Sequence, residues 1–320
     1  MFFESSPVDM SSARRDADRQ RHCLPASRVL RMTLPGAHRQ TYFLYLPVNV
    51  SPTAPVFVTV HGISRNAREH AERFAPFAER HGVVLVAPRF GRKRFPRYQR
   101  LTPDARGHAP DALLDAIVDD VRRLLGLLHR PIHLFGFSGG GQFAHRYAMI
   151  HPARVARVVV GAAGWYTFPD QGVRYPRGLA ESAGGAVHIA APDFLRIPMA
   201  VVVGNEDTVR DAALNLSPRI DRQQGVDRRE RGWRWIGAMR HAARERSLAT
   251  PYGYSVLPGV GHDFTRAMTE GGLGAAVFRF LFGEQGECTV HGVSCPSGSS
   301  GVLPAAAQTA FPWRTDRDCA

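Results

Sequence analysis

The sequence predicts an α/β protein built on a mostly parallel central sheet of about eight strands, with an antiparallel edge and helices on both faces. Three observations carry that expectation. Runs such as Val56-Phe57-Val58-Thr59-Val60 and Val83-Val84-Leu85-Val86-Ala87 are almost wholly apolar, as strands covered on both sides must be. Segments with apolar residues at helical spacing alternate with these runs, which is the pattern of parallel strands joined by crossover helices. Two opening runs, 29–34 and 42–46, flank Pro35-Gly36 and read as a hairpin that makes one edge antiparallel.

Taken in order, residues 1–27 are polar, mixed in charge and without period, and are expected to be disordered. The hairpin follows, then strand 56–60, which runs into His61-Gly62-Ile63-Ser64. Phe74, Phe77 and Ala78 mark a helix between residues 69 and 80 that stops at Gly82. Strand 83–87 ends at Pro88. Between residues 111 and 128, apolar side chains at 113, 114, 117, 118, 121, 124, 125 and 128 fit a 3.6-residue period. The run Ile132, Leu134, Phe135 is a strand, and Phe143, Tyr147 and Ile150 lie on a helix closed by Pro152. Strand 155–160 leads to a stretch at 165–196 without clear period, expected as a loop or small cap. Strand 199–203, one long helix over 218–246, strand 254–257 and a helix over 275–282 complete a domain spanning 28–283. Residues 284–320 are Gly/Ser-rich at first and are expected to be a disordered tail.

Composition narrows the function classes. The chain has 320 residues, 44% apolar and 22% charged, enough for one large α/β domain. No apolar run approaches the roughly 20 residues of a membrane span, and the N-terminus lacks the apolar core of a secretory signal, so a cytoplasmic location is expected. The net charge is +13, but Lys93 is the only lysine, and arginine used this way reflects coding bias more than a partner. Basic residues are not strung along one element as nucleic-acid binding requires. Cys288, His291 and Cys295 lack a fourth ligand at suitable spacing, so no metal is expected.

Chemistry concentrates at Gly136-Phe137-Ser138-Gly139-Gly140, a G-x-S-x-G pattern set between a strand and a helix. That context is what a nucleophile elbow needs: a turn so tight that only small residues at 136 and 140 let strand and helix pass. Ser138 then needs a base and a third group to orient the base, both beyond carboxyl ends of strands. Asp207, just past strand 199–203, is the first candidate acid, with Glu206 and Asp211 as competitors; Asp211 is expected inside the next helix. Of fourteen histidines, His262 alone follows a late strand in a glycine-flanked turn. His61 is expected to brace the loop after strand 56–60, whereas His108, His129, His145 and His151 read as surface or helix-end residues. Backbone donors for an oxyanion are expected from Gly139 and Ile63, with Ser64 the alternative to Ile63.

The strings HGISRNA, GFSGGGQFAHRYA, GNEDTV and PGVGHDF, in this order, resemble the α/β-hydrolase superfamily, and within it the polyhydroxybutyrate-depolymerase and feruloyl-esterase-like serine carboxylesterases. The resemblance covers about residues 29–283. It implies a Ser138–His262–Asp207 triad that cleaves carboxylic esters through an acyl-enzyme without a cofactor, on a small-molecule or oligomeric ester such as a polyester or hydroxyacid oligomer. Two alternatives stand beside it: amide or peptide hydrolysis by the same triad, and a polyanion-binding protein on an inactive hydrolase scaffold.

Substrate-contacting residues are less defined. Trp165 and Tyr166 follow a strand and are candidates for the pocket. The loop PRFGRKRFPRYQRL after strand 83–87, including Arg97, offers a basic rim that could steer an anionic acyl substrate. The other basic stretch, RRERGWRWIGAMRHAARER, reads as amphipathic cover for the sheet.

Overall fold

The computed structural model describes residues 24–36, 40–101, 103, 107–181, 189 and 193–283. The proposed disordered segment 1–27 therefore lies almost wholly outside the described residues, as do the 284–320 tail, Cys23 and the Cys288, His291 and Cys295 group. One sheet of eight strands organises the rest, in the order β1-β2-β4-β3-β5-β6-β7-β8. The strands are β1 (Val29–Thr33), β2 (Thr41–Tyr45), β3 (Val56–Val60), β4 (Val84–Pro88), β5 (Ile132–Phe137), β6 (Val155–Gly161), β7 (Met199–Gly204) and β8 (Tyr252–Leu257). β1 pairs with β2 and β2 with β4 antiparallel; every other pairing is parallel. β3, β4 and β7 are buried at every position, which is why their sequences show no alternation.

Among the described residues seven helices cover the sheet: α1 (Ala67–His81), α2 (Pro110–Leu125), α3 (Gly139–Ile150), α4 (Pro218–Gln224), α5 (Arg228–Arg244), α6 (Phe264–Thr269) and α7 (Leu273–Phe282). On one face Phe57 of β3 meets Phe74 of α1 and Phe278 of α7 edge-on, with ring centroids 5.2 and 5.0 Å apart. On the other, Tyr147 of α3 donates a hydrogen bond to Asp115 of α2, and His145 of α3 packs on Trp235 of α5.

Three expectations are corrected. The helix expected over 218–246 is two helices, because Gly225 takes φ 109°, a backbone that breaks the helix between α4 and α5. The helix expected to reach residue 128 ends at Leu125 on Gly126 with φ 63°, leaving Leu128 exposed. His145 is not a surface residue: its Nδ1 donates to the Gly141 carbonyl and its Nε2 accepts from the Thr167 N–H, inside the core. An unexpected helix, α6, follows the His262 turn, with the Asp263 side chain accepting the Arg266 N–H at 2.8 Å as its N-cap.

Burial holds several histidines neutral. His61 and His133 are pushed down to about 4 by desolvation, and His70 and His145 are driven well below the ordinary range for the same reason. In the unfolded chain these rings take up a proton near pH 6.5, so between about pH 6.5 and 4 the unfolded state binds more protons and stability falls as pH falls. A depression of this size is worth about 3 kcal/mol for each of His61 and His133. Thermal unfolding followed between pH 7 and pH 4.5 is expected to show a steep drop in midpoint, beginning near pH 6.5; a flat profile would contradict neutral burial.

Candidate active site

The turn between β5 and α3 explains its own glycines. A Cβ on Gly136 would stand 2.0 Å from the Gly140 carbonyl oxygen, and one on Gly140 would stand 2.0 Å from that of Val60. No side chain fits at either position while β5, α3 and β3 remain in contact. Ser138, between them, is held at φ 55° and ψ −115°, a positive-φ backbone that non-glycine residues rarely adopt. Its N–H donates to the Gly161 carbonyl of β6 at 2.7 Å, which anchors the strained residue to the sheet.

The acid and base loops interlock before any side chain is considered. Asn205 N–H donates to the Leu257 carbonyl at 2.8 Å and Glu206 N–H to that of Val260 at 3.0 Å. A Cβ on Gly204 would meet the Val260 oxygen at 1.9 Å, so the loop after β7 sits directly on the loop after β8. Three side chains converge as a result. His262 Nε2 lies 3.0 Å from Ser138 Oγ, and His262 Nδ1 lies 2.7 Å from Asp207 Oδ2. Asp207 is wholly buried, whereas the imidazole retains 19% of its exposure. The Phe137 ring stacks on the His262 ring at 5.4 Å and limits its rotation. Of the two competitors, Glu206 is exposed, and Asp211 lies in the loop before α4 rather than in a helix.

Asp207 has a second partner. Arg228, at the start of α5, donates from Nη1 to Asp207 Oδ1 at 3.2 Å and from Nη2 to Asp211 Oδ1 at 3.1 Å. Both Arg228 and Asp207 are buried, so this is an enclosed ion pair rather than a surface one. Three turns of α5 present Arg228, Arg231, Trp235 and Met239 to the interior at intervals of three and four residues. Arg231 ties the surrounding loops together, donating to the Gly225 and Asn215 carbonyls, each at 2.9 Å, and to Asp221 Oδ1 at 2.7 Å. Reading α5 as plain amphipathic cover missed this role. The signal was present, since two of its arginines share the phase of its apolar stripe.

Ile63 and Gly139 face one another: the Ile63 nitrogen is 3.5 Å from the point a Cβ on Gly139 would occupy. Gly139 N–H belongs to the unsatisfied first turn of α3. The loop carrying Ile63 and Ser64 is braced from behind. Because Phe90 N–H donates to His61 Nε2 at 3.0 Å, the ring proton sits on Nδ1 and is donated to the Gly62 carbonyl at 2.7 Å. Tyr98 donates its hydroxyl to the His61 carbonyl at 2.6 Å. His61 thus fastens the loop after β3 to the loop after β4.

The aromatic pair after β6 divides. Tyr166 is fully buried, stacked on Trp235 at 4.9 Å, with its backbone N–H and carbonyl both bonded to the Gln224 amide. It packs the core and exposes no surface to a substrate, which corrects its expected role. The Trp165 ring centroid lies 4.4 Å from the Arg146 guanidinium and 5.6 Å from that of Arg100, and the residue is almost as enclosed. Arg97 is exposed, ahead of the short 3₁₀ turn Tyr98–Arg100. Among the described residues no group of three or more His, Cys, Asp or Glu side chains is arranged to hold a metal ion, and no helix is long and apolar enough to cross a membrane.

No family model matches the chain. Among solved structures it is similar to a poly(3-hydroxybutyrate) depolymerase from Bordetella parapertussis, with 27% identity, a TM-score of 0.68, and coverage of 85% of this chain and 96% of that one. It is also similar to poly(aspartic acid) hydrolase-1 from Sphingomonas sp. KT-1, with 25% identity, a TM-score of 0.67, and coverage of 79% and 100%. A curated relative, the bifunctional acetylxylan esterase/xylanase of Neocallimastix patriciarum, is 27% identical over 112 residues, and the match spans 34% of this chain but only 16% of that protein. The eight-stranded sheet, the elbow at Ser138 and fold similarity over most of the chain agree: the protein is a member of the α/β-hydrolase superfamily, akin to its esterases and depolymerases.

Proposed function

We propose that the protein is a serine hydrolase that cleaves carboxylic esters, including short oligomeric ones, through an acyl-enzyme on Ser138. The observation that carries this reading is the continuous chain of contacts from buried Asp207 through His262 to a serine held on a strained elbow. His262 Nε2 takes the Ser138 proton as Oγ attacks the ester carbonyl. Asp207 fixes the Nδ1–H tautomer and stabilises the imidazolium that forms. Ile63 and Gly139 N–H groups hold the oxyanion, each worth about 3 kcal/mol at the transition state. The protonated imidazole then releases the alcohol, and water repeats the sequence on the acyl group. Similarity to a polyester depolymerase supports an oligomeric hydroxyacid ester as substrate.

Rapid mixing with a p-nitrophenyl ester tests the reading. An acyl-enzyme mechanism releases a burst of nitrophenolate approaching one equivalent per active site when deacylation is the slower half. Turnover with a burst is expected; absence of ester turnover across acyl chain lengths would overturn the proposal.

A further inference from the structure

The loop after β4 borders, with the loop after β3, an open cavity of about 540 Å³ whose lining includes Thr41, Ser64, Arg65, Arg89, Arg92, Lys93 and Arg94. Among the described residues no carboxylate lines it. Arg65 fixes the shape of the loop: its guanidinium donates to the Phe90 carbonyl at 2.8 Å and the Phe95 carbonyl at 3.1 Å and lies over the Tyr98 ring. Arg89, Arg92 and Lys93 are exposed and form no ion pair among the described residues, unlike Arg68, Arg73, Arg154 and Arg228 elsewhere in the fold. The positive potential reaches the loop that carries Ile63. Buried His61 beneath it is depressed to about 4, chiefly by desolvation and further by the charges of Arg65 and Arg89.

The cavity opens beside the candidate active site. Ser64 lines it, and a Cβ on Gly62 would touch both Ser64 Oγ, at 3.8 Å, and Ser138 Cβ, at 3.5 Å. In the sheet, β4 and β5 are separated only by β3, so the loop after β4 is displaced from the elbow by two strand spacings, about 10 Å. We infer that this cavity is a subsite for a carboxylate of the substrate, and that the preferred esters carry an acidic group about 10 Å from the scissile carbonyl. The inference rests on Ser138 being the nucleophile and adds to that reading the charge of the substrate. Arg89, Arg92 and Lys93, unpaired among the described residues, attract the anion over a Debye length, and the Thr41 hydroxyl can donate to its oxygens.

The test compares mono-p-nitrophenyl suberate, which carries a terminal carboxylate, with p-nitrophenyl octanoate, its uncharged counterpart of the same chain length. At low salt the full-length protein is expected to show a kcat/KM at least tenfold higher for the anionic ester, with the ratio shrinking at about 0.5 M salt. In Arg92→Ala/Lys93→Ala the ratio should fall towards one. In Arg80→Ala/Arg130→Ala, which removes equal charge at the opposite end of the sheet, it should persist. A ratio of one or less in the unaltered protein, or the same loss in both double variants, would overturn the subsite. Calorimetry with suberate dianion separates the subsite from the chemistry. Binding lost in Arg92→Ala/Lys93→Ala supports the cavity even where neither ester is turned over, and absence of binding to the unaltered protein refutes it.

Discussion

Ser138→Ala is expected to lower kcat on p-nitrophenyl esters by on the order of 10⁶-fold while leaving the fold and its stability close to unchanged. The size follows from the unity of the group. Without Oγ there is no atom for His262 to activate and no acyl-enzyme to form, so the whole covalent route is lost rather than one contact within it. What should remain is the acceleration from the N–H groups proposed at Ile63 and Gly139 to hold the oxyanion, about 10³-fold over water. Stability should hold because alanine keeps the Cβ. The strained φ of 55° and the 2.7 Å bond from residue 138 N–H to the Gly161 carbonyl both belong to the backbone. Steady-state kinetics and thermal unfolding on the same preparation check both halves.

Arg228→Met should cost about 3–5 kcal/mol in unfolding free energy and, with the protein still folded, lower kcat by about a hundredfold with little change in KM. The stability loss arises because the substitution leaves Asp207 buried and ionised without its cation, and strands Asp211 as well. The catalytic loss has a separate origin. Asp207 is oriented from two sides, with Oδ2 on the imidazole and Oδ1 on the guanidinium. Releasing Oδ1 lets the carboxylate turn, and the Nδ1–H tautomer of His262 is no longer enforced. Arg228 is thus a positioning residue acting through Asp207. Urea denaturation gives the first quantity and saturation kinetics at low temperature the second. A variant with unchanged kcat would leave the ion pair with a structural role alone.

The strands were legible because residues buried on both faces leave uninterrupted apolar runs, and β3, β4 and β7 are buried throughout. The elbow was legible because steric exclusion at Gly136 and Gly140 writes itself into residue type. Ser138, Asp207 and His262 stand together because each follows a strand whose carboxyl end faces the same edge of the sheet. What could not be read has a common physical cause. Helix breaks such as Gly225 depend on a backbone angle that glycine permits but does not require. Buried polar side chains also look like surface ones in one dimension. His145 and Arg228 are interior only because particular carbonyls, N–H groups and carboxylates await them, and those partners are distant in sequence. Tyr166 shows the converse, an aromatic at a strand end that serves the core rather than the pocket.

Ser138 is expected to be the activated hydroxyl of the chain. Reaction with a serine-directed fluorophosphonate, followed by mass spectrometry of the intact protein and its peptides, addresses it directly. One adduct per chain is predicted, on the peptide carrying Ser138, formed slowly in His262→Ala and absent in Ser138→Ala. An adduct on another residue, or none in the unaltered protein, would contradict the account.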